Sequence, residues 1–209
     1  MDSMSAFQLM IQDIPMLVGL LGVCLVVGLT HCRPVFYSSI ACLVLLLFLF
    51  RNPMRLDNTV VLHPRCMMAP ADGKIVNIAY APDGSLDGYH YRISIIVSLL
   101  DVHINRVMSG GVVHGILHQY DADHARASVD VEVSGNHRRN YKMRHMVWPY
   151  LSHISCWPKV GDAVTTGQAY GSAVPRSRCD IFLPENVSLC VGIGQYVYAG
   201  TTKIGCWTA

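Results

Sequence analysis

The chain has 209 residues, 52% of them hydrophobic and 14% charged, with a formal net charge of +2. That length accommodates a membrane-associating segment and one compact domain of ordinary size. The near-neutral balance, without a dense Lys/Arg run, excludes a nucleic-acid footprint, so no nucleic-acid partner is expected.

Two apolar runs come first. Ile14 to Thr30 holds 17 residues without a charge, and Val35 to Phe50 adds 16 more. Each falls short of the about 20 residues of an upright span. The connector Thr30-His31-Cys32-Arg33-Pro34 separates them with a proline. The expectation is a hydrophobic helical hairpin over residues 1–50 that either spans twice or lies in one leaflet. Met1–Asp13 contains no Lys or Arg, which argues against a secretory signal. Arg51, Arg55 and Arg65 follow the second run, and the positive-inside bias then places residues 51–209 on the cytoplasmic side of the cell membrane. A core hairpin of a soluble fold is the competing reading.

Of the eight cysteines, Cys24, Cys32 and Cys42 lie in or between the apolar runs. Cys66, Cys156, Cys179, Cys190 and Cys206 are scattered without CxxC spacing. Neither a disulfide framework nor a zinc site follows, so reduced thiols and no metal are expected.

From residue 66 the signals are those of strands. Lys74–Tyr80, Tyr91–Leu99 and Gly111–Gln119 are rich in β-branched residues or alternate apolar with polar ones. Pro82-Asp83-Gly84 marks a turn. The polar stretch Asp121–Arg139 is expected to be a loop. Val160–Gly167 and Ile193–Gly200 share the pattern apolar-Gly-Asp/Gln-x-Val-x-x-Gly, 33 residues apart. Two strand–turn–strand copies related by a pseudo-twofold describe a barrel-sandwich. The predicted fold is therefore mostly β, a barrel-sandwich-like domain with an internal repeat, preceded by the N-terminal hydrophobic hairpin. A carrier domain of that architecture shows a lysine between its copies, and none lies between Lys159 and Lys203.

Three clusters hold groups capable of chemistry. Pro70-Ala71-Asp72-Gly73-Lys74 sets an acid on a tight turn before a strand; an ordinary turn aspartate is the plain alternative. In Asp101-Val102-His103-Ile104-Asn105-Arg106, strand alternation puts Asp101, His103 and Asn105 on one face. A histidine there is either a general acid or base, or a satisfied structural side chain. Arg176-Ser177-Arg178-Cys179-Asp180-Ile181-Phe182-Leu183-Pro184 sets a serine before an apolar strand, between the two repeat copies. No GxSxG elbow marks it as a nucleophile, and a polar hairpin turn is the bland reading.

Together and in order, Phe50-Arg51-Asn52-Pro53-x-Arg55, Pro70-Ala71-Asp72-Gly73, Asp101–Arg106 and Ser177-Arg178-x-Asp180-x-x-Leu183-Pro184 resemble the short, pyruvoyl-dependent phosphatidylserine decarboxylases. The resemblance runs from about residue 50 to the C-terminus. It implies a proenzyme that cuts itself before Ser177 into a β chain of residues 1–176 and an α chain of residues 177–209. The Ser177 hydroxyl attacks the preceding carbonyl to give an ester, and elimination and hydrolysis leave a covalent pyruvoyl group and ammonia. Asp72 and His103 are the residues to withdraw the hydroxyl proton. The pyruvoyl cofactor forms a Schiff base with phosphatidylserine and releases phosphatidylethanolamine, a step of phospholipid biosynthesis in which His103 returns the proton. Arg106, Arg176 and Arg178 are candidates to steer the lipid's phosphate or carboxylate. The implied partners are a membrane phospholipid and the α–β heterodimer of its own chains, with homo-oligomerisation left open.

The chain departs from the family pattern in three places. Arg176 stands where the family has the glycine of a Gly–Ser cut, and Pro175 replaces an aromatic. Arg106 falls where the long members carry a second histidine. One Gly–Ser pair does exist nearby, Gly171-Ser172, so Ser172 is the reserve candidate. The alternative function is an unprocessed, inactive membrane-tethered paralogue that binds lipid or a partner.

Overall fold

The computed structural model describes residues 19, 22–23, 33–49, 51, 53, 55, 65–83, 85–86, 88–121, 126–135, 139–147, 154–173 and 177–208. The chain divides into two compact units, Met1–Pro53 and Met54–Ala209.

In the first unit one helix, α1 (Arg33–Leu49), covers most of the second apolar run. Pro34 is tolerated because it falls in the first turn, where its missing N–H has no intrahelical partner to lose. At the other end the Arg51 guanidinium donates to Phe48 O (2.9 Å) and stacks 4.1 Å above the Phe48 ring. A cation on the last carbonyls closes the helix in the sense its dipole favours. Tyr37, Val44 and Leu45 are exposed, so the helix leaves apolar surface uncovered. At 1.5 Å per residue it is about 26 Å long, and among the described residues no helix is long and apolar enough to cross a membrane. The first arm of the expected hairpin, apart from Gly19, Gly22 and Val23, lies outside the described residues.

The second unit is built of antiparallel strands, numbered along the chain. One sheet has eight, in the order β13 (Tyr196–Val197), β2 (Gly73–Tyr80), β3 (Tyr91–Ile96), β11 (Arg178–Leu183), β7 (Arg139–Val147), β6 (Arg126–Gly135), β5 (Gly111–Asp121), β9 (Ala163–Val164). Two sheets have three strands each. One runs β1 (Cys66–Met68), β14 (Lys203–Trp207), β12 (Val187–Leu189); the other β4 (Ile104–Arg106), β10 (Ala169–Ala173), β8 (Ile154–Cys156). All three contribute to a single apolar core, with Ile75, Ile95, Met143 and Ile181 from the large sheet, Ile204 and Val187 from one small sheet and Tyr170 from the other.

The strand order is palindromic. The half β13-β2-β3-β11 meets the half β9-β5-β6-β7 at the β11–β7 pair. Backbone bonds match across the two halves. Met68 N–H donates to Met108 O and Arg106 N–H to Pro70 O. Ile75 N–H donates to Gln195 O and Val113 N–H to Asp162 O. Gly194 and Gly161, both at positive φ, donate back to Ile75 O and Val113 O. One half is contiguous, residues 104–173, and the other is split around it. Ser177 therefore stands where the chain leaves the inserted half and re-enters the first.

Three expectations are corrected. The supposed loop Asp121–Arg139 contains the ten-residue strand β6, in which Val129, Val131 and Val133 face the core and Asp130 and Glu132 face outward. Its period of two was concealed by polar outward residues, which is what a half-buried strand shows. Strand β3 stops at Ile96, because a turn begins at Ser98. Cys66 and Cys206 form a disulfide rather than two reduced thiols. They are direct cross-strand partners of β1 and β14, an adjacency that linear spacing of 140 residues cannot display.

Candidate active site

Asp72 is nearly inaccessible and tightly held. Arg55 Nη1 and Nη2 (2.9 Å) donate to its two carboxylate oxygens, and Ala199 N–H donates to Oδ1 (2.7 Å). Next to it Gly73 has φ 147°, and a Cβ there would sit 2.2 Å from Ile96 O. Only glycine permits that approach, so the turn that presents Asp72 is locked onto the end of β3.

Ser177 is 2% exposed, and its carbonyl accepts from Val97 N–H (2.9 Å). Lys74, Ile96 and Arg178 are successive cross-strand partners on β2, β3 and β11. Continuing that register by one residue gives the buried row Val197, Gly73, Val97, Ser177. The structure thus brings the Asp72 turn and Ser177 to the same end of the large sheet.

His103 is 1% exposed, and the whole segment Asp101–Ser109 is buried. The bond from Arg106 N–H to Pro70 O sets this segment alongside the Asp72 turn. The expected single face of Asp101, His103 and Asn105 does not form, since β4 starts only at Ile104. Asp101 instead closes the turn with Ser98 and accepts from the Tyr196 phenol. Burial and that bond raise the Tyr196 pKa, so the phenol remains a donor.

The candidate arginines fare differently. Arg106 is buried, donates to Gly167 O (2.9 Å) and lies close enough to Arg55 and Asp72 to feel both; burial, then Arg55, lowers its pKa. Arg178 is turned to the outer face, where it binds Asp180 Oδ1 (2.7 Å) and Ser94 Oγ (2.9 Å). Arg176 lies outside the described residues. Ser172 is buried in the middle of β10, paired on both sides with Ile104 and Ser155. A Cβ on Gly171 would meet Ser155 O at 2.1 Å, which explains that glycine by close strand approach.

Sequence reasoning missed a buried cluster beside this end. His145, on β7 opposite Cys179, bonds through Nε2 to the Tyr170 phenol and lies 3.6 Å from Cys179 Sγ. Burial holds His145 down to about pKa 4 and pushes the Tyr170 and Cys179 pKa values up. The imidazole is then neutral, and the phenol and the thiol keep their hydrogens. No signal in the sequence joins three residues from strands 25 and 34 positions apart. Folding depresses this histidine's pKa, so the unfolded chain binds the extra proton. Its contribution is full above pH 6.5 and is lost as pH falls toward 4, by about 3 kcal/mol. Urea unfolding at pH 7 and pH 4.5 should show that loss, and His145→Gln should flatten it; an unchanged slope in the variant would rule His145 out as its source.

An open groove of about 420 Å³ on the outer face is lined by Leu117, Asp130, Glu132, Lys142 and Arg144 among others, and by none of Asp72, His103 or Ser177. Its charges are largely internal, with Arg144 bound to Asp130 at 2.6 and 2.7 Å. Among the described residues no His/Cys/Asp/Glu cluster has metal-site geometry.

No solved structure matches the chain. Curated relatives do. A phosphatidylserine decarboxylase proenzyme of Geotalea uraniireducens is 36% identical over 171 residues, 76% of this chain and 77% of the relative. That of Trichlorobacter lovleyi is 36% identical over 174 residues, 78% of each. That of Pelobacter propionicus is 29% identical over 210 residues, 93% and 94%. The family model described as phosphatidylserine decarboxylase matches residues 45–205, which takes in Asp72, His103 and Ser177. With that match spanning most of its length, the chain belongs to the phosphatidylserine decarboxylase family.

Proposed function

We infer that the chain is a proenzyme that converts its own Ser177 into a pyruvoyl group and then decarboxylates phosphatidylserine to phosphatidylethanolamine in phospholipid biosynthesis. One observation carries the reading: Ser177 is sealed from water at the sheet end that also holds Asp72. A hydroxyl meant to attack its own backbone rather than admit hydrolysis needs that environment.

The residues suit the group. Val97 N–H fixes the Ser177 carbonyl, which stays attached to the α chain. In the cut, Ser177 Oγ loses its proton to Asp72 or His103 and attacks the carbonyl carbon of residue 176. The peptide C–N bond breaks as the ester C–O bond forms, and the amine takes a proton. Removal of the Ser177 Cα proton then expels the β chain as a carboxylate, and water replaces the α-chain nitrogen, which leaves as ammonia. Once formed, the pyruvoyl group supplies an electron sink for the bond to CO2. His103 is the proton donor to the product carbon, and buried Arg106, close enough to Asp72 to feel its charge, is the cation to meet an anionic head group. Arg178, engaged by Asp180, is the weaker substrate contact.

Membrane association is assigned to the apolar first unit, with the domain on the cytoplasmic side by the arginine bias. The Cys66–Cys206 bridge argues the other way, since disulfides persist in oxidising compartments. Accessibility of the exposed Lys159 to an impermeant amine reagent in sealed cells decides between the two sides.

The test is denaturing electrophoresis under reduction with intact-mass analysis. The expected product is the fragment 177–209 lacking a free amino terminus. Reduction is essential, because Cys66 lies in the β chain and Cys206 in the α chain, and the bridge keeps the cut halves together. Arg176 in place of glycine favours the second reading, the unprocessed paralogue. A residue with a Cβ is disfavoured by of order 1–3 kcal/mol in conformations that glycine enters freely. Arg176→Gly should therefore speed fragment release about 10- to 100-fold; no acceleration would mean the arginine is not what limits the cut.

A further inference from the structure

The turn Ser98–Asp101 closes on itself. Asp101 N–H donates to Ser98 O (3.3 Å), and Ser98 N–H donates to Asp101 Oδ2 (2.7 Å). Its two central residues are leucines, Leu99 at 51% and Leu100 at 59% exposure. Tight turns are normally built from Gly, Pro, Asn, Asp and Ser. Two leucines in the middle of a turn clamped at both ends project outward.

The surroundings extend this tip into one surface. Asp101 also accepts from the Tyr196 phenol, which draws the turn against β13. The Tyr196 and Tyr198 ring centroids lie 5.0 Å apart with their planes tilted by 59°, and both rings are well exposed. Tyr196, Lys74 and Ile96 are successive cross-strand partners, and Lys74 and Ile96 are exposed beside it. The Arg55 guanidinium lies 5.5 Å from the Tyr198 ring centre. The row one residue further along is the buried one that ends in Ser177. The surface therefore rims the end of the sheet that holds the candidate site.

We propose that Leu99 and Leu100, ringed by Tyr196, Tyr198, Lys74 and Ile96, form a contact through which the second unit itself docks on an anionic bilayer. A protruding apolar tip suits an acyl boundary better than a flat protein interface. Phenols with an apolar body and a polar end belong at head-group level. Lys74 beside them is drawn to anionic lipid. Continuity with the Ser177 end ties the inference to the decarboxylase reading, whose substrate reaches the protein from such a surface.

The experiment uses the full chain on phosphatidylcholine–phosphatidylglycerol vesicles. Leu100→Trp should give emission, beyond that of the wild type, that acyl-brominated lipid quenches; absence of added quenching overturns the proposal. Leu99→Ser combined with Leu100→Ser should raise the KM for vesicle-borne phosphatidylserine about tenfold, as loss of roughly one leucine's burial predicts. Turnover of a monomeric short-acyl phosphatidylserine and release of the fragment 177–209 should not change. Equal loss on both substrates would assign the turn to the head-group site and defeat docking. If the double variant instead dissociates a dimer in sedimentation while Leu100→Trp goes unquenched, the surface joins two copies and the proposal fails. A wild-type chain that neither cuts nor turns over substrate would sink the decarboxylase reading, and the quenching result would still decide docking.

Discussion

Ser177→Ala is expected to leave the chain in one 209-residue piece, with no fragment under reducing, denaturing conditions and no carbonyl trapped by borohydride with an amine. The effect is all or none, because the hydroxyl is both the attacking atom and the source of the new carbonyl. Folding should survive. The side chain is buried, and removal of a single hydroxyl costs on the order of 1 kcal/mol, which circular dichroism and a small shift in urea midpoint would register. Ser172→Ala is the control and should still cut, since Ser172 is enclosed between Ile104 and Ser155 in β10. Fragment from Ser177→Ala, or its loss from Ser172→Ala, would move the site. A gel without reductant cannot make this distinction, because Cys66–Cys206 holds a cut chain together.

How far the sequence discloses the fold follows from the range over which each signal acts. Strand β2 and the start of β3 were legible because β-branched residues mark strands locally. The glycines of Val160–Gly167 and Ile193–Gly200 point to turns, and Gly161 and Gly194 do take positive φ. Strand β6 was not legible: Asp130 and Glu132 look like loop residues until Arg144 and Lys142 are known to stand opposite them on β7. The Cys66–Cys206 bridge was hidden for a related reason. Its partners are neighbours only because β14, at the end of the chain, lies beside β1 at the start of the domain.

The site divides in the same way. Asp72 and Ser177 could be picked out by residue type and order, but what holds them is non-local. Asp72 depends on Arg55 from before the domain's first strand and on Ala199 from near its end. Arg178 looked like a free cation in the sequence, yet Asp180, two residues on along the same strand face, takes its guanidinium. The His145–Tyr170–Cys179 cluster has no local mark, because each member alone is an ordinary strand residue.

Asp72→Asn is expected to slow the cut at least about 100-fold, the scale of a lost general base, and the difficulty lies in separating that from simple damage. The carboxylate anchors the Arg55 guanidinium and Ala199 N–H. Removing its charge breaks a largely buried pair and should cost about 3 kcal/mol of stability. Arg55→Met breaks the same pair from the other side but leaves the carboxylate in place on the Ala199 N–H. Both variants should lose similar stability in urea, while only Asp72→Asn stops releasing fragment. The contrast is what matters, because a purely structural aspartate would make the two variants fail alike. Equal loss of cutting at equal loss of stability would therefore leave Asp72 as an anchor and hand the Ser177 proton to His103, which lies on the adjoining segment joined to this turn by Arg106 N–H and Pro70 O.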